Sequence, residues 1–255
     1  MTKHLAVRQR RRTLLRVAAA TLLLALAGLA YFLASGPRAE PAALAALVPD
    51  ETLVLRDEGW LTLAPRDAAP AAGLVFYPGG LVPTEAYAPL ARAVAAEGYL
   101  VALLRMPLNL AVLDSGRALA VLESYPEIGR WVVAGHSLGG SMAARFAADH
   151  AQGIDGLLLL AAWPEDSVDL STSPLAVTSV YGSEDGLATP GEVLAAAPRL
   201  PADTAFIRIE GGNHAQFGRY GRQNGDNEAL ISPDEQLAQT VEVALALLRR
   251  VEAAG

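Results

Sequence analysis

The chain has 255 residues and no cysteine. That absence excludes disulfides, thiolate metal sites and a cysteine nucleophile. Any covalent catalysis must therefore use an oxygen or nitrogen nucleophile, although a cysteine-free chain fits any compartment. Histidine is also scarce, at four residues, and charged residues make up only 18% of the chain. The charges are unevenly placed. Residues 1–16 carry Lys3, Arg8, Arg10, Arg11, Arg12 and Arg16 with no acid, whereas the remaining 239 residues hold 14 basic and 27 acidic groups. A body this acidic argues against a nucleic-acid surface. There is no internal repeat, no metal-ligand cluster and no phosphate-binding glycine-rich loop, so neither a metal nor a cofactor is expected.

Long apolar runs are rare too, with one exception. Val17–Ala34 is an uncharged stretch of 18 residues with arginines on its amino side, near the lower limit for spanning a bilayer. The basic flank predicts a single-pass anchor, with the N-terminus in the cytoplasm and the rest of the chain outside it. The alternative is a signal peptide cleaved near Ala34, Ser35 and Gly36, giving a secreted protein. Arg11-Arg12-Thr13-Leu14-Leu15-Arg16 also resembles a twin-arginine export signal. The length of the run favours the anchor over a cleavable segment. The expected organisation is a basic head and membrane segment over 1–36, an Ala/Pro-rich linker over 37–49 with a short helix near Ala42–Leu47, and a main domain over 50–255.

Within that domain, β-branched and apolar runs predict strands at Glu51–Leu55, Trp60–Ala64, Gly73–Tyr77, Tyr99–Leu104, Trp131–Ala134, Gly156–Leu160, Ala176–Tyr181 and Ala205–Ile209. Helices are expected from Pro83-Thr84 to Glu97, over Val112–Ser124, over Ser141–His150 and over Gly191–Ala197. A last helix opens at the capping box Ser232-Pro233-Asp234-Glu235 and runs to about Glu252. The first two strands form an antiparallel edge; the rest alternate with helices, which specifies a mostly parallel sheet covered on both faces. Only about 15 residues separate the strand ending at Leu160 from that starting at Ala176, too few for a large lid.

Gly135-His136-Ser137-Leu138-Gly139 lies between the strand at Trp131–Ala134 and the helix that follows. This is G-x-S-x-G in the strand–turn–helix context the motif requires. A turn this sharp strains Ser137 and leaves no room for side chains at 135 and 139. It holds the Ser137 hydroxyl at the carboxyl end of the sheet, where the helix N-terminus favours developing negative charge. The stretch resembles the nucleophile elbow of the α/β-hydrolase family, and the resemblance extends over about residues 50–250. It is most similar to small, lid-less bacterial serine hydrolases.

A serine hydroxyl needs a base. His4 lies in the basic head, His136 is expected to face away from Ser137, and His150 ends the helix behind the elbow. His214 remains. It sits in Glu210-Gly211-Gly212-Asn213-His214 after the last strand, where the family places its catalytic histidine. The resemblance assigns the acid to the G-x-x-D that follows the strand ending at Tyr181, which maps to Asp185; Glu184 and Asp166 are alternatives. Backbone donors for an oxyanion are expected at Leu138 and in Pro78-Gly79-Gly80-Leu81, which resembles the family's HG-x loop with Pro78 in place of the usual His. The resemblance also matches Tyr87 to an aromatic of that family, and counting back from it implies the second donor at Gly80, with Leu81 one residue away.

These features imply a serine hydrolase that cleaves a small-molecule ester through an acyl-enzyme. The same constellation would serve acyl transfer or perhydrolysis, and a non-catalytic protein that retained the scaffold is the alternative from another class. Neither the acyl chain nor the oligomeric state is legible.

Overall fold

The protein is described by a computed structural model, over residues 14–24, 27–28 and 36–254. The chain divides after Gly36 into two units, each taken by itself.

In the first unit the described residues 14–24 are helical. At about 1.5 Å per residue this covers roughly half of the ~30 Å hydrocarbon core of a bilayer. Among the described residues no helix is long and apolar enough to cross a membrane. This overturns the expectation of a single-pass anchor with an extracytoplasmic catalytic domain, and the membrane partner falls with it. Much of the Val17–Ala34 run, and the cleavage positions Ala34 and Ser35, lie outside the described residues.

The second unit holds one sheet of eight strands: β1 (Leu53–Asp57), β2 (Trp60–Pro65), β3 (Ala72–Tyr77), β4 (Leu100–Leu104), β5 (Arg130–His136), β6 (Gly156–Leu160), β7 (Ala176–Gly182) and β8 (Ala205–Ile209). Their spatial order is β1-β2-β4-β3-β5-β6-β7-β8. β1 pairs antiparallel with β2, and β2 antiparallel with β4; every later pairing is parallel. β1 and β2 are joined through Glu58-Gly59, and Gly59 takes φ +88°. The helices are α1 (Pro41–Ala45), α2 (Ala88–Ala96), α3 (Ala118–Ser124), α4 (Leu138–Asp149), α5 (Pro190–Ala195) and α6 (Pro233–Ala253). The fold is the α/β-hydrolase fold without a large lid.

β3, β4 and β6 are buried along their whole lengths, as expected of strands covered on both faces. Alternation divides β5 between two cores. Val132 and Ala134 join the core under α2 and α6, whereas Trp131 and Val133 join the core under α3 and α4. The final helix begins with the expected capping box: Ser232 Oγ accepts the Glu235 N–H, and Glu235 accepts the Ser232 N–H.

Three segments differ from the sequence reading. The helix expected from Pro83-Thr84 starts as a 3-10 turn, Thr84–Tyr87, and becomes α-helical only at Ala88, with Pro89 in the first turn. The helix expected over Val112–Ser124 breaks. Ala111–Leu113 is a 3-10 turn, and α3 starts only at Ala118. The intervening Asp114-Ser115-Gly116 are turn formers, and Tyr77 donates from its hydroxyl to the Ser115 carbonyl at 2.6 Å, fixing the break. The stretch expected as a linker is docked on the second unit. Ala43 is fully buried. Arg92 donates to the carbonyls of Ala46 and Val48, each at 2.9 Å, and pairs with Asp50.

Candidate active site

The site gathers at the carboxyl ends of β5, β7 and β8. Ser137 joins β5 to α4 with φ +52° and ψ −127°, a conformation strained for any residue with a side chain. The glycines around it have no alternative. A Cβ on Gly135 would lie 2.5 Å from the Gly139 carbonyl, and one on Gly139 would lie 2.3 Å from the carbonyl oxygens of both Tyr77 and Pro78. The packing of β3, β5 and the start of α4 thus holds the elbow from three sides.

His214 and Asp185 meet as a pair. His214 Nδ1 lies 2.9 Å from Asp185 Oδ2, and the two side chains are 2% and 0% exposed. The other carboxylate oxygen of Asp185 accepts the N–H groups of Leu187 at 2.9 Å and Ala188 at 2.6 Å. A buried carboxylate held this way has both oxygens committed, so its orientation is fixed. The alternatives lie elsewhere. The Asp166 side chain is fully exposed and pairs with Arg199. Glu184 accepts the Ser183 hydroxyl at 2.8 Å. It thereby secures Ser183, whose hydroxyl also accepts the Gly211 N–H and ties the acid loop to the histidine loop.

Asp226 and Gln236 went unnoticed in the sequence, and both brace the histidine loop. Asp226 accepts the N–H groups of Gly186 (3.0 Å), Ala215 (2.9 Å) and His214 (3.4 Å), clamping the loops of Asp185 and His214 together. Gln236, buried on α6, clasps the backbone of Asn213 in both directions, at 3.0 and 2.8 Å. An Asp in a loop and a Gln on a helix carry no local signal of this; only the folded chain brings them to residue 213 and its neighbours.

Gly80 packs on Leu138, where an added Cβ would lie 3.2 Å from the Leu138 side chain. Among the described residues nothing accepts the N–H of Gly80 or of Leu138, the first residue of α4. The N–H of Leu81, by contrast, is given to the Asn109 carbonyl at 2.7 Å, with Leu81 at φ +64° and Asn109 at φ +55°.

Ser137, Leu138 and His214 border one cavity of about 240 Å³. Its other walls include Ala161, Ala162, Trp163 and Leu187, mostly apolar groups. The 15-residue connection between β6 and β7 contributes Trp163 and adds no helix over the mouth. Gln223 also borders a second cavity of about 260 Å³, a polar one that includes Glu40, Gln216, Arg222 and Asn227. Among the described residues no group of three or more carboxylates and histidines is placed to hold a metal ion.

Residues 73–238 match the model of the alpha/beta hydrolase family. The chain belongs to that family. A structural relative is a predicted CIB-like hydrolase from Thermoplasma acidophilum, with a TM-score of 0.56 at 15% identity, covering 75% of this chain and 98% of that one. At that identity the likeness speaks for the fold alone. No curated protein matches the sequence. The matched stretch of this hydrolase runs from β3 into α6 and includes Ser137, Asp185, His214, Gly80 and Leu138.

His136 was expected only to face away from Ser137. Its ring is fully buried and lies 4.5 Å, centroid to centroid, from the ring of His214. Burial, and secondarily the neighbouring His214, hold His136 well below the ordinary histidine range. It is therefore a neutral imidazole.

Proposed function

We propose that this hydrolase is a serine esterase that cleaves a carboxylic ester with a small acyl group through an acyl-enzyme. The observation that carries the reading is the buried His214–Asp185 pair, whose His214 borders the same cavity as the strained Ser137. Ser137 Oγ attacks the acyl carbon while its proton passes to His214 Nε2. Asp185 holds the Nδ1 proton and stabilises the imidazolium that forms. The carbonyl oxygen becomes an oxyanion and is received by the uncommitted N–H groups of Leu138 and Gly80. His214 then gives its proton to the leaving alcohol. A water molecule, deprotonated by the same nitrogen, releases the acid and restores Ser137. Leu81 is a poorer donor than Gly80, because its N–H is already committed to Asn109.

Size narrows the substrate. A cavity of about 240 Å³ lies below the roughly 300–1,000 Å³ of sites for drug-sized ligands, and its walls are largely apolar, so it suits an acyl group of a few carbons. The polar cavity beyond Gln223 offers room for the alcohol. A panel of p-nitrophenyl esters from acetate to palmitate tests this. The reading expects kcat/KM to be highest for acetate to butyrate and to fall by at least tenfold at long chains. Turnover of long chains only, or of none, would count against it.

A further inference from the structure

The departure at Pro78 poses a question that the rest of the molecule answers. The loop Pro78-Gly79-Gly80 carries one of the amides assigned to the oxyanion. Two successive glycines make its backbone permissive, so something must hold it. Tyr87 does. Its hydroxyl accepts the Gly79 N–H at 3.0 Å and lies 2.8 Å from His136 Nδ1. A tyrosine hydroxyl has one proton. The Gly79 N–H can only donate, so the one acceptor within reach of the Tyr87 proton is an unprotonated His136 Nδ1. The neutral ring must then carry its proton on Nε2. That buried nitrogen makes no well-formed hydrogen bond; its polar neighbour is the backbone of His214, a further tie between the two histidines.

The arrangement is otherwise tightly built. Tyr87 and His136 are 1% and 0% exposed. Phe76 packs on Tyr87 with ring centroids 4.6 Å apart. Phe217 and Tyr220, from the segment after His214, pack on His136 at 5.7 and 6.4 Å. His136 therefore touches three things at once: the nucleophile, as its neighbour in the chain; the catalytic imidazole, ring to ring; and, through one hydroxyl, the oxyanion loop.

We propose that Tyr87 and His136 are a pair of positioning residues that lock the Gly79-Gly80 loop in register with the elbow and His214. The pair touches no reacting atom and acts through the Gly80 amide and the His214 ring. This rests on the esterase reading above, with Gly80 as an oxyanion donor.

The test compares Tyr87→Phe, His136→Asn, His136→Leu and the double variant Tyr87→Phe/His136→Leu, each checked for folding by circular dichroism. The readouts are steady-state hydrolysis of p-nitrophenyl acetate and the labelling rate of Ser137 by a fluorophosphonate probe. Tyr87→Phe should lower kcat about tenfold with KM within a factor of two, because a loop that loses its anchor weakens the transition state more than the ground state. His136→Asn places an amide oxygen where Nδ1 was and should recover most of the activity that His136→Leu loses. The double variant should lose no more than the worse single variant, as residues acting as a unit do. Folded Tyr87→Phe with kcat within twofold of wild type would overturn the pairing, as would multiplicative losses in the double variant. A wild type that neither turns over the ester nor takes the probe would overturn the esterase reading and this one with it. A labelled wild type with an unaffected Tyr87→Phe would overturn this one alone.

Discussion

Replacing Asp185 with asparagine removes one charge and almost no volume, and the structure specifies what the amide would then do. In the native protein Asp185 Oδ1 accepts from Leu187 and Ala188 while Oδ2 faces His214 Nδ1. The two backbone N–H groups can only donate, so the asparagine carbonyl oxygen must stay with them. Its NH2 group must then face His214 Nδ1. That nitrogen becomes an acceptor, and the ring proton moves to Nε2, the atom needed to take the proton from Ser137. The variant thus loses the charge that stabilises the imidazolium and also holds the wrong tautomer. The expected loss in kcat is about 10⁴, equivalent to about 5.4 kcal/mol of transition-state stabilisation. Asp166→Asn and Glu184→Gln, measured on the same ester, should each lose less than about tenfold, because neither carboxylate contacts His214. Stopped-flow or initial-rate kcat on p-nitrophenyl acetate, with circular dichroism as the folding control, decides the matter. A loss below tenfold in folded Asp185→Asn would refute the reasoning, and a large loss confined to Asp166→Asn or Glu184→Gln would move the acid.

Other consequences can be checked on the same purified protein. Ser137→Gly should abolish turnover yet raise stability by about 1 kcal/mol, because a residue at φ +52° stores strain that glycine does not; a thermal melt reads the gain, and an unchanged or lower Tm contradicts it. Gly139→Ala should cost about 3 kcal/mol or prevent folding, since the new methyl meets backbone oxygens at 2.3 Å that cannot yield as a side chain could; an unaltered melt would show the elbow to be looser than described. Arg92→Ala should release residues 41–50, seen as faster proteolysis there with little change in kcat, because its guanidinium holds two carbonyls and Asp50. Protons supply a further test. Burial holds the native His136 well below its ordinary value, so below about pH 6.5 the unfolded chain binds a proton there that the native chain does not. That site's contribution is intact above pH 6.5 and falls as pH drops, so His136→Asn should flatten the loss of Tm between pH 6.5 and 4.5; parallel curves would contradict the assignment.

The strands and the elbow were legible because both rest on local chemistry. Apolar runs bounded by turn residues mark β3 to β8, and G-x-S-x-G between a strand and a helix leaves little freedom. The meeting of Asp185 and His214 follows from topology, since they lie on the loops after β7 and β8, which are neighbours in the sheet. The broken helix before α3 was misread because its apolar residues kept a helical spacing, while the anchor that favours the break, Tyr77, lies 38 residues away. The N-terminal run was read from its hydropathy, its length and its basic flank, and among the described residues no helix is long and apolar enough to span a bilayer. Asp226 and Gln236 gave no warning because each acts on backbone groups distant in sequence. His136 is the instructive miss. Strand alternation places residues 132, 134 and 136 on one face, and Val132 and Ala134 belong to the same core as Tyr87, Phe217 and Tyr220. Continuing that face by one step would have pointed His136 toward the histidine loop.

The central claim is that Ser137 becomes the site of a covalent bond. Incubation with a fluorophosphonate probe, followed by intact-mass measurement and peptide sequencing, tests it without knowledge of the natural substrate. One adduct per chain should form on the peptide containing Ser137, and none on Ser137→Ala or after unfolding. An adduct on another residue, or an unmodified wild type that is demonstrably folded, would contradict the account.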